Sequence, residues 1–399
     1  MSSFASRWGV APVINAAGTM TALGASRVPT PVRAAACEAM QHFVEIDTLQ
    51  GRASEVIARL TGFGAGFVTG CSAAGLAQAV AGAITGEDPA AVEALPDTGG
   101  RERRVIMQMG HRINYGAPVA QAVRVTGAEL LTIGTAATCE TWHLEAALAD
   151  GAAAVVHVVS HHTVRENELP LDLVVEIARA HGVPVIVDMA AEYDLRAPIV
   201  VGAAAAVWSG HKFLAGPTSG ILAGTPALIR AAYLQRIGIG RVMKAGKEAI
   251  AGAMAALDAW EERDHAAEAA AEEARLALWE SALAGQPGLA LARHRDWTGN
   301  PVIRLRLRLA PEAAGLHAWE LSARLAARRP RIMLRDDLME HEELYLDPAT
   351  LTDNEARDVG EAIVDELSRV RAGAGGKRRS WSEVKRGRRA ALLDWPRRG

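Results

Sequence analysis

The chain is poor in cysteine. Only Cys37, Cys71 and Cys139 occur in 399 residues, and no two form a CxxC pair. That usage argues against a disulfide framework and a thiolate zinc site. It fits a reducing compartment. Long hydrophobic runs are also missing. Stretches such as Gly202 to Trp208 are too short to span a bilayer. The N-terminal MSSFASRWGVAPVINAAGT lacks the basic start and apolar run of a signal peptide. A cytoplasmic location without membrane contact is expected. Charge of one sign is not in excess either. The formal net charge of −3 offers no footprint for nucleic acid or an anionic surface. There is no internal repeat, no Walker A loop and no GxGxxG fingerprint. The run Gly238 to Glu248 imitates the last of these. It lacks the preceding strand of a βαβ unit, so it is expected to be a turn entering a helix.

What remains is a globular composition, 50% hydrophobic and 22% charged. The length allows a deep core and a second, smaller domain. Apolar β-rich runs recur at Arg104–Met107, Leu130–Ile133, Ala154–Val159, Pro184–Val187, Ala206–Trp208 and Ser219–Ala223. Helical patterns such as Leu171–His181 lie between several of them. Short apolar strands joined by helices predict an α/β layered domain around a mostly parallel buried sheet. The Ala- and Glu-rich stretch 249–285 has no proline before Gln286 and predicts one long helix. Val302–Leu309 then alternates Ile and Leu with Arg, as a half-exposed antiparallel strand does. A helix near Ala318–Ala327, a strand near Glu343–Leu346 and a helix near Asp353–Ser368 complete a small α+β domain. The expected divisions are an N-terminal segment 1–45, a large domain 46–248, a connecting helix 249–285, a small domain 286–370 and a basic tail 371–399. The tail is expected to be solvated. Trp381, Val384, Leu392, Leu393 and Trp395 offer the alternative of an anchor on a neighbouring subunit.

The chemistry concentrates in Trp208-Ser-Gly-His-Lys-Phe-Leu-Ala-Gly-Pro-Thr-Ser-Gly-Ile-Leu222. A lysine at a strand end is poorly solvated. Desolvation lowers its pKa and makes the amine nucleophilic, which suits imine formation with an aldehyde cofactor. Lys212 is that lysine. Ser209 and His211 beside it could donate hydrogen bonds to a phosphate. Upstream, Val183-Pro-Val-Ile-Val-Asp188 is a buried strand ending in a carboxylate. Asp188 could keep a cofactor pyridine nitrogen protonated. An Asp there could equally cap a helix. Thr69-Gly-Cys-Ser-Ala73 places small residues before an Ala-rich helix. Gly70, Cys71, Ser72 and Ala73 could therefore cradle a phosphate at the helix N-terminus. His111, in Met109-Gly-His-Arg-Ile-Asn114, follows the next strand at the same sheet end. Its ring could stack on a pyridine face, or it could be a loop histidine. His161, His162 and Glu166 lack the spacing of a metal site, so no metal is expected.

The order phosphate loop, His111, Asp188, Lys212 resembles fold-type-I pyridoxal-5′-phosphate (PLP) enzymes, the aminotransferase-like class. That resemblance implies a seven-stranded-type sheet with helices on both faces, a smaller C-terminal α+β domain and PLP on Lys212. Ser209-Gly-His-Lys212 is similar to class V aminotransferases and cysteine desulfurases. A closer resemblance spans nearly the whole chain. Val13-Ile-Asn-Ala-Ala-Gly-Thr19, Leu49-Gln-Gly-Arg-Ala-Ser-Glu55, Gly110-His-Arg112, Ser209-Gly-His-Lys212 and Arg241-Val-Met-Lys-Ala-Gly-Lys-Glu248 look like the selenocysteine synthase (L-seryl-tRNA(Sec) selenium transferase) superfamily. Within it they are most similar to the D-glucosaminate-6-phosphate ammonia-lyase branch.

Two departures shape the expectation. The Asn-Ala-x-Gly-Thr segment begins at Val13, which leaves no room for the tRNA-binding domain of true selenocysteine synthases. His211 stands where those enzymes commonly carry Asp. Both favour a small-molecule amino acid or amino-sugar acid over tRNA. No cysteine follows Cys139, so a desulfurase is not expected. The resemblance further implies a homodimer or larger assembly, with Gln50 and Arg52 reaching across the interface. It implies Arg335 as the ligand of the substrate carboxylate, a role suited to a guanidinium fork. A surface Arg is the alternative. Asn15 and Thr19 are expected to face the substrate. The implied activity is a lyase that removes a β-hydroxyl and releases a 2-keto acid and ammonia. Racemisation and retro-aldol cleavage use the same residues and stay open. A nucleic-acid-binding protein on a degenerate enzyme fold is a remaining alternative, opposed by the Asp188–Lys212 pair.

Overall fold

The computed structural model describes residues 4–374, 378–394 and 396. They form two compact units, Ser26–Arg263 and a second composed of Met1–Ala25 with Asp264–Gly399. The expected segment 1–45 is thus divided at Ala25. Strand β1 (Val13–Ala16) belongs to the second unit. The first contains β2 (Ala65–Thr69), β3 (Arg104–Gln108), β4 (Glu129–Ile133), β5 (Ala154–Val158), β6 (Val185–Asp188), β7 (Ala205–Ser209) and β8 (Gly220–Gly224). Strands β9 (Leu289–Arg295), β10 (Ile303–Leu309), β11 (Arg331–Leu334) and β12 (Glu343–Leu346) return to the second unit.

The unit 26–263 is built on one seven-stranded sheet in the order β2-β8-β7-β6-β5-β3-β4. Its β3–β7 pairings are parallel; β8 alone runs the other way, pairing antiparallel with β7 and β2. The inner strands are rich in Val, Ile and Ala, and β5, β6, β7 and β8 are buried throughout. A strand covered on both faces needs such an unbroken apolar run. The helix Ser72–Thr85 lies directly on the sheet. Its small residues permit this: a Cβ on Gly75 would sit 2.7 Å from Val207, and one on Gly82 would sit 2.6 Å from the Ala232 backbone nitrogen. The edge strand β2 is covered by the helix Ile46–Thr61. Gln50 and Ser54, one turn apart, satisfy the Val68 N–H, the Val68 carbonyl and the Gly66 N–H.

The other unit holds a three-stranded antiparallel sheet, β12-β10-β9, and the parallel pair β1–β11. Trp279, fully buried, anchors its core and donates to the Ala356 carbonyl at 2.7 Å. Two expectations fail here. The single helix over 249–285 is two helices, Lys247–Glu262 and His265–Leu283. Arg263 is extended, and the Asp264 side chain caps the second helix by accepting from the Ala267 N–H. The tail is not wholly solvated. It contains the helix Trp381–Leu393, and Trp381 and Val384 pack on this unit's own core. Trp381 donates to Glu340, and Trp319 donates to the Arg379 carbonyl. Leu392 and Leu393 are exposed, and Trp395 lies outside the described residues.

Candidate active site

The carboxyl ends of β2, β3, β5, β6 and β7 share one edge of the sheet, because β2 and β7 both oppose β8. Ligands of open α/β sheets bind outside such ends. The register makes neighbours of distant residues. Thr69 pairs with Gly220, which pairs with Ser209; Val158 pairs with Asp188, which pairs with Val207. The segments after each strand therefore converge.

After β7 the chain makes the turn 210–219 that holds Lys212, then returns as β8. Lys212 is half-buried. Asp188 closes β6 with 8% exposure. Burial raises the pKa of its carboxyl, while the positive charge of Lys212 and the Ala190 N–H pull it back down. This is a buried carboxylate facing a lysine, the pair that the sequence order suggests. His211 is buried. Desolvation and Lys212 hold its pKa below the usual value, and its ring bonds to the Ser219 backbone. It props the lysine turn, where the sequence had suggested a phosphate donor.

The helix Ser72–Thr85 points its first turn at the same edge. Cys71 is its N-cap, accepting from the Ala74 N–H at 3.4 Å. The Ser209 hydroxyl donates to the Ser72 hydroxyl at 3.0 Å. Two hydroxyls, the helix-start N–H groups and the helix dipole make an anion cradle. Gly70 departs from expectation: its N–H is spent on the Met243 carbonyl at 3.1 Å. Its lack of a side chain matters instead, since a Cβ would lie 2.8 Å from that carbonyl oxygen.

His111 has 0% exposure. The Val158 N–H donates to Nδ1, so Nε2 carries the proton given to Glu168 at 2.9 Å. His157 packs edge-on at 4.4 Å. A stacking ring needs an open face, and His111 presents none. Tyr115, four residues later, is 41% exposed. Burial and the charges of Asp188 and Cys71 push its phenol up to about 12. It stands beside Asp188 and Cys71 of the cradle and is partly open to solvent. The motif around His111 ends at Asn114, one residue short of it; the loop that carries His111 was the available signal.

Several expected substrate ligands have other duties. Gln50 is buried and its amide is spent on Val68. Arg52 is exposed and pairs with Glu55 at 2.8 Å. Asn15 donates to the Gly18 carbonyl and accepts from the Ala17 N–H, so it shapes its own turn. Thr19 is half-buried beside that turn. Arg335 is well buried and bonds to Asp337 at 2.9 Å. Burial and nearby Arg304 lower its pKa. Arg304 lies between Asp296 and Asp347 at 2.7 and 2.8 Å. Among the described residues, no group of three His, Cys, Asp or Glu could hold a metal ion.

The residues present fit PLP: a lysine for the aldehyde, a buried Asp for the ring nitrogen, a tyrosine for the face and a hydroxyl-lined helix start for the phosphate. Comparison with known proteins agrees. The family described as L-seryl-tRNA selenium transferase (SelA) matches residues 13–278. D-glucosaminate-6-phosphate ammonia lyase of Salmonella typhimurium is 37% identical over 347 residues, 87% of this chain and 93% of that protein. A 5′-C-glycyluridine monooxygenase-decarboxylase of Streptomyces is 35% identical over 371 residues, 92% of each chain. A solved structure of D-glucosaminate-6-phosphate ammonia-lyase superposes with a TM-score of 0.84 at 34% identity, covering 93% of this chain and 99% of that one. The chain belongs to the L-seryl-tRNA selenium transferase family and is a PLP-dependent enzyme of fold type I.

Proposed function

We propose that the protein is an ammonia-lyase acting on a small amino acid or amino-sugar acid with a β-hydroxyl. The observation that carries this is the meeting of Asp188, Lys212, Tyr115 and the Ser72–Ser209 pair at one sheet edge. It is supported by likeness to an ammonia lyase over 87% of the chain. When bound, PLP supplies an electron sink for the charge left at the substrate Cα. Lys212 Nζ would hold the cofactor and, once free, would take the substrate Cα proton as general base. Asp188 keeps a proton on the ring nitrogen. Tyr115 steadies the ring face. Ser72, Ala73 and Ser209 hold the phosphate. Arg335, buried in its own unit, is the candidate ligand for the substrate carboxylate. Loss of the β-hydroxyl and addition of water then release a 2-keto acid and ammonia.

The partner is a small molecule and, as a further part of this reading, a second copy of the chain. Met40, Phe43, Val44 and Ile46 form an exposed apolar stretch that supports self-association. A cytoplasmic location is supported by the free cysteines, of which Cys37 is exposed. No helix among the described residues is long and apolar enough to cross a membrane. The net charge of −3 supports a role without tRNA.

Product analysis on D- and L-hydroxy amino acids and amino-sugar acids tests the activity. Equal amounts of 2-keto acid and ammonia are expected without oxygen uptake. The likeness to a monooxygenase-decarboxylase motivates the second reading. Oxygen consumption with carbon dioxide release, and no keto acid, would replace the first reading with the second.

A further inference from the structure

Lys212 sits in a turn whose backbone is tied at every carbonyl from 210 to 213. The Gly216 N–H donates to the Gly210 carbonyl at 2.8 Å, and the Ala215 N–H to the Lys212 carbonyl at 3.0 Å. The other two ties come from far along the chain. The Ser26 hydroxyl donates to the His211 carbonyl at 2.7 Å. The Arg263 guanidinium donates to the Phe213 carbonyl at 3.1 Å. Arg263 also lies over Trp260 at 4.9 Å. Trp260 meets Phe213 edge-on at 4.9 Å, and Phe213 stacks on Tyr193 at 4.9 Å. The residues on either side of the lysine are therefore fixed by side chains, not by the turn alone. Ser26 and Arg263 are also the first and last residues of their unit. The chain enters and leaves this unit at the two residues that grip the lysine turn.

We infer that Ser26 and Arg263 are positioning residues for Lys212. They hold its nitrogen against the cofactor and away from water. The inference rests on Lys212 being the cofactor lysine. Around Lys212, Asp188 on β6 and His211 on its own turn are the titratable neighbours, and Tyr115 stands beside Asp188. Slackening the turn lets water reach the nitrogen. Solvation favours the charged form, so the protonation midpoint rises. No tie touches the cofactor, so the effect passes through the backbone.

The test uses the PLP-loaded protein and follows its visible band against pH. Ser26→Ala and Arg263→Gln should each raise the midpoint by about half a pH unit or more. Ser26→Thr and Arg263→Lys, which restore a donor, should return it toward the wild-type value. A role in folding alone would lower the melting temperature and leave the midpoint in place. If Arg263→Gln does not fold, Ser26→Ala and its Thr rescue decide. An unmoved midpoint in folded, loaded variants overturns this inference alone. Persistence of the wild-type band in Lys212→Ala overturns the lysine assignment, and the inference with it.

Discussion

Gly220 offers a steric test of the phosphate cradle. It opens β8 opposite both Thr69 and Ser209. A Cβ there would lie 2.4 Å from the Cys71 carbonyl oxygen and 2.4 Å from Thr69 Oγ1. Both distances are about 1 Å short of ordinary contact. Neither atom can simply turn away. They are bonded to each other at 2.8 Å, and the Cys71 carbonyl also accepts the Gly75 N–H of the helix. Gly220 has no positive φ, so alanine brings no backbone penalty. Gly220→Ala therefore has to push the N-cap and first helical turn outward. Overpacking of this kind costs about 1–3 kcal/mol. The helix start moves away from the phosphate, and the PLP dissociation constant should rise tenfold or more, roughly 1.4 kcal/mol. Absorbance titration of cofactor-free protein with PLP, beside a thermal melt, measures both. Gly387→Ala is the control. It lies in the helix Trp381–Leu393 with nothing within 4 Å. It should stabilise by about 0.5–1 kcal/mol and leave PLP binding alone. A Gly220→Ala protein with wild-type PLP affinity would refute the cradle.

Asp188→Asn should keep PLP but lose most turnover, since an amide cannot hold the ring nitrogen protonated; steady-state rates at full occupancy check this. Gln50→Leu strands the Val68 N–H and carbonyl, costing about 2 kcal/mol. Denaturant melts should show the loss while PLP affinity stays unchanged. Glu272 titrates near 7 because burial and then Asp347 raise it from 4.5. Its folded form holds a proton that the unfolded chain has lost. Wild-type stability should therefore fall as pH rises from 4.5 to 7, and Glu272→Gln should remove that slope in melts across the range. Deleting the chain after Arg371 should spare turnover, because the site residues precede it. It should lower the melting temperature, because Trp319 loses its acceptor at Arg379 and Glu340 loses its donor Trp381.

Much of this was legible in the sequence because buried parallel strands advertise themselves. The runs at 104–107, 130–133, 154–159, 184–187, 206–208 and 219–223 each match a strand within about two residues. Asp188 and Lys212 were legible for the same reason: each ends or follows such a run. Strand β9 was missed because Arg and His interrupt its apolar pattern, and β11 because three apolar residues after an Arg are too short a run to stand out. The break at Arg263 was missed because Ala and Glu continue on both sides, and one capping Asp decides it. His111 was expected at the cofactor and Gln50 at a subunit interface. Both side chains are spent on backbone groups that lie far off in sequence, Val158 and Val68. Periodicity carries no trace of such a bond. Tyr115 shows the converse. Its exposure and its charged neighbours arise only when the loop folds over the ends of two strands.

The helix that covers β2 has a consequence for association. An uncapped outer strand presents a ladder of donors and acceptors to any extended chain, including another copy of itself. Gln50 and Ser54 close that ladder with side-chain amide and hydroxyl groups, at the residues whose polar atoms face away from β8. The sheet cannot grow past β2 by strand addition without first evicting them. Strand addition is thereby blocked at that rim, which leaves side-chain packing as the open mode of contact there. A variant that loses Gln50 would expose a templating rim as well as losing stability.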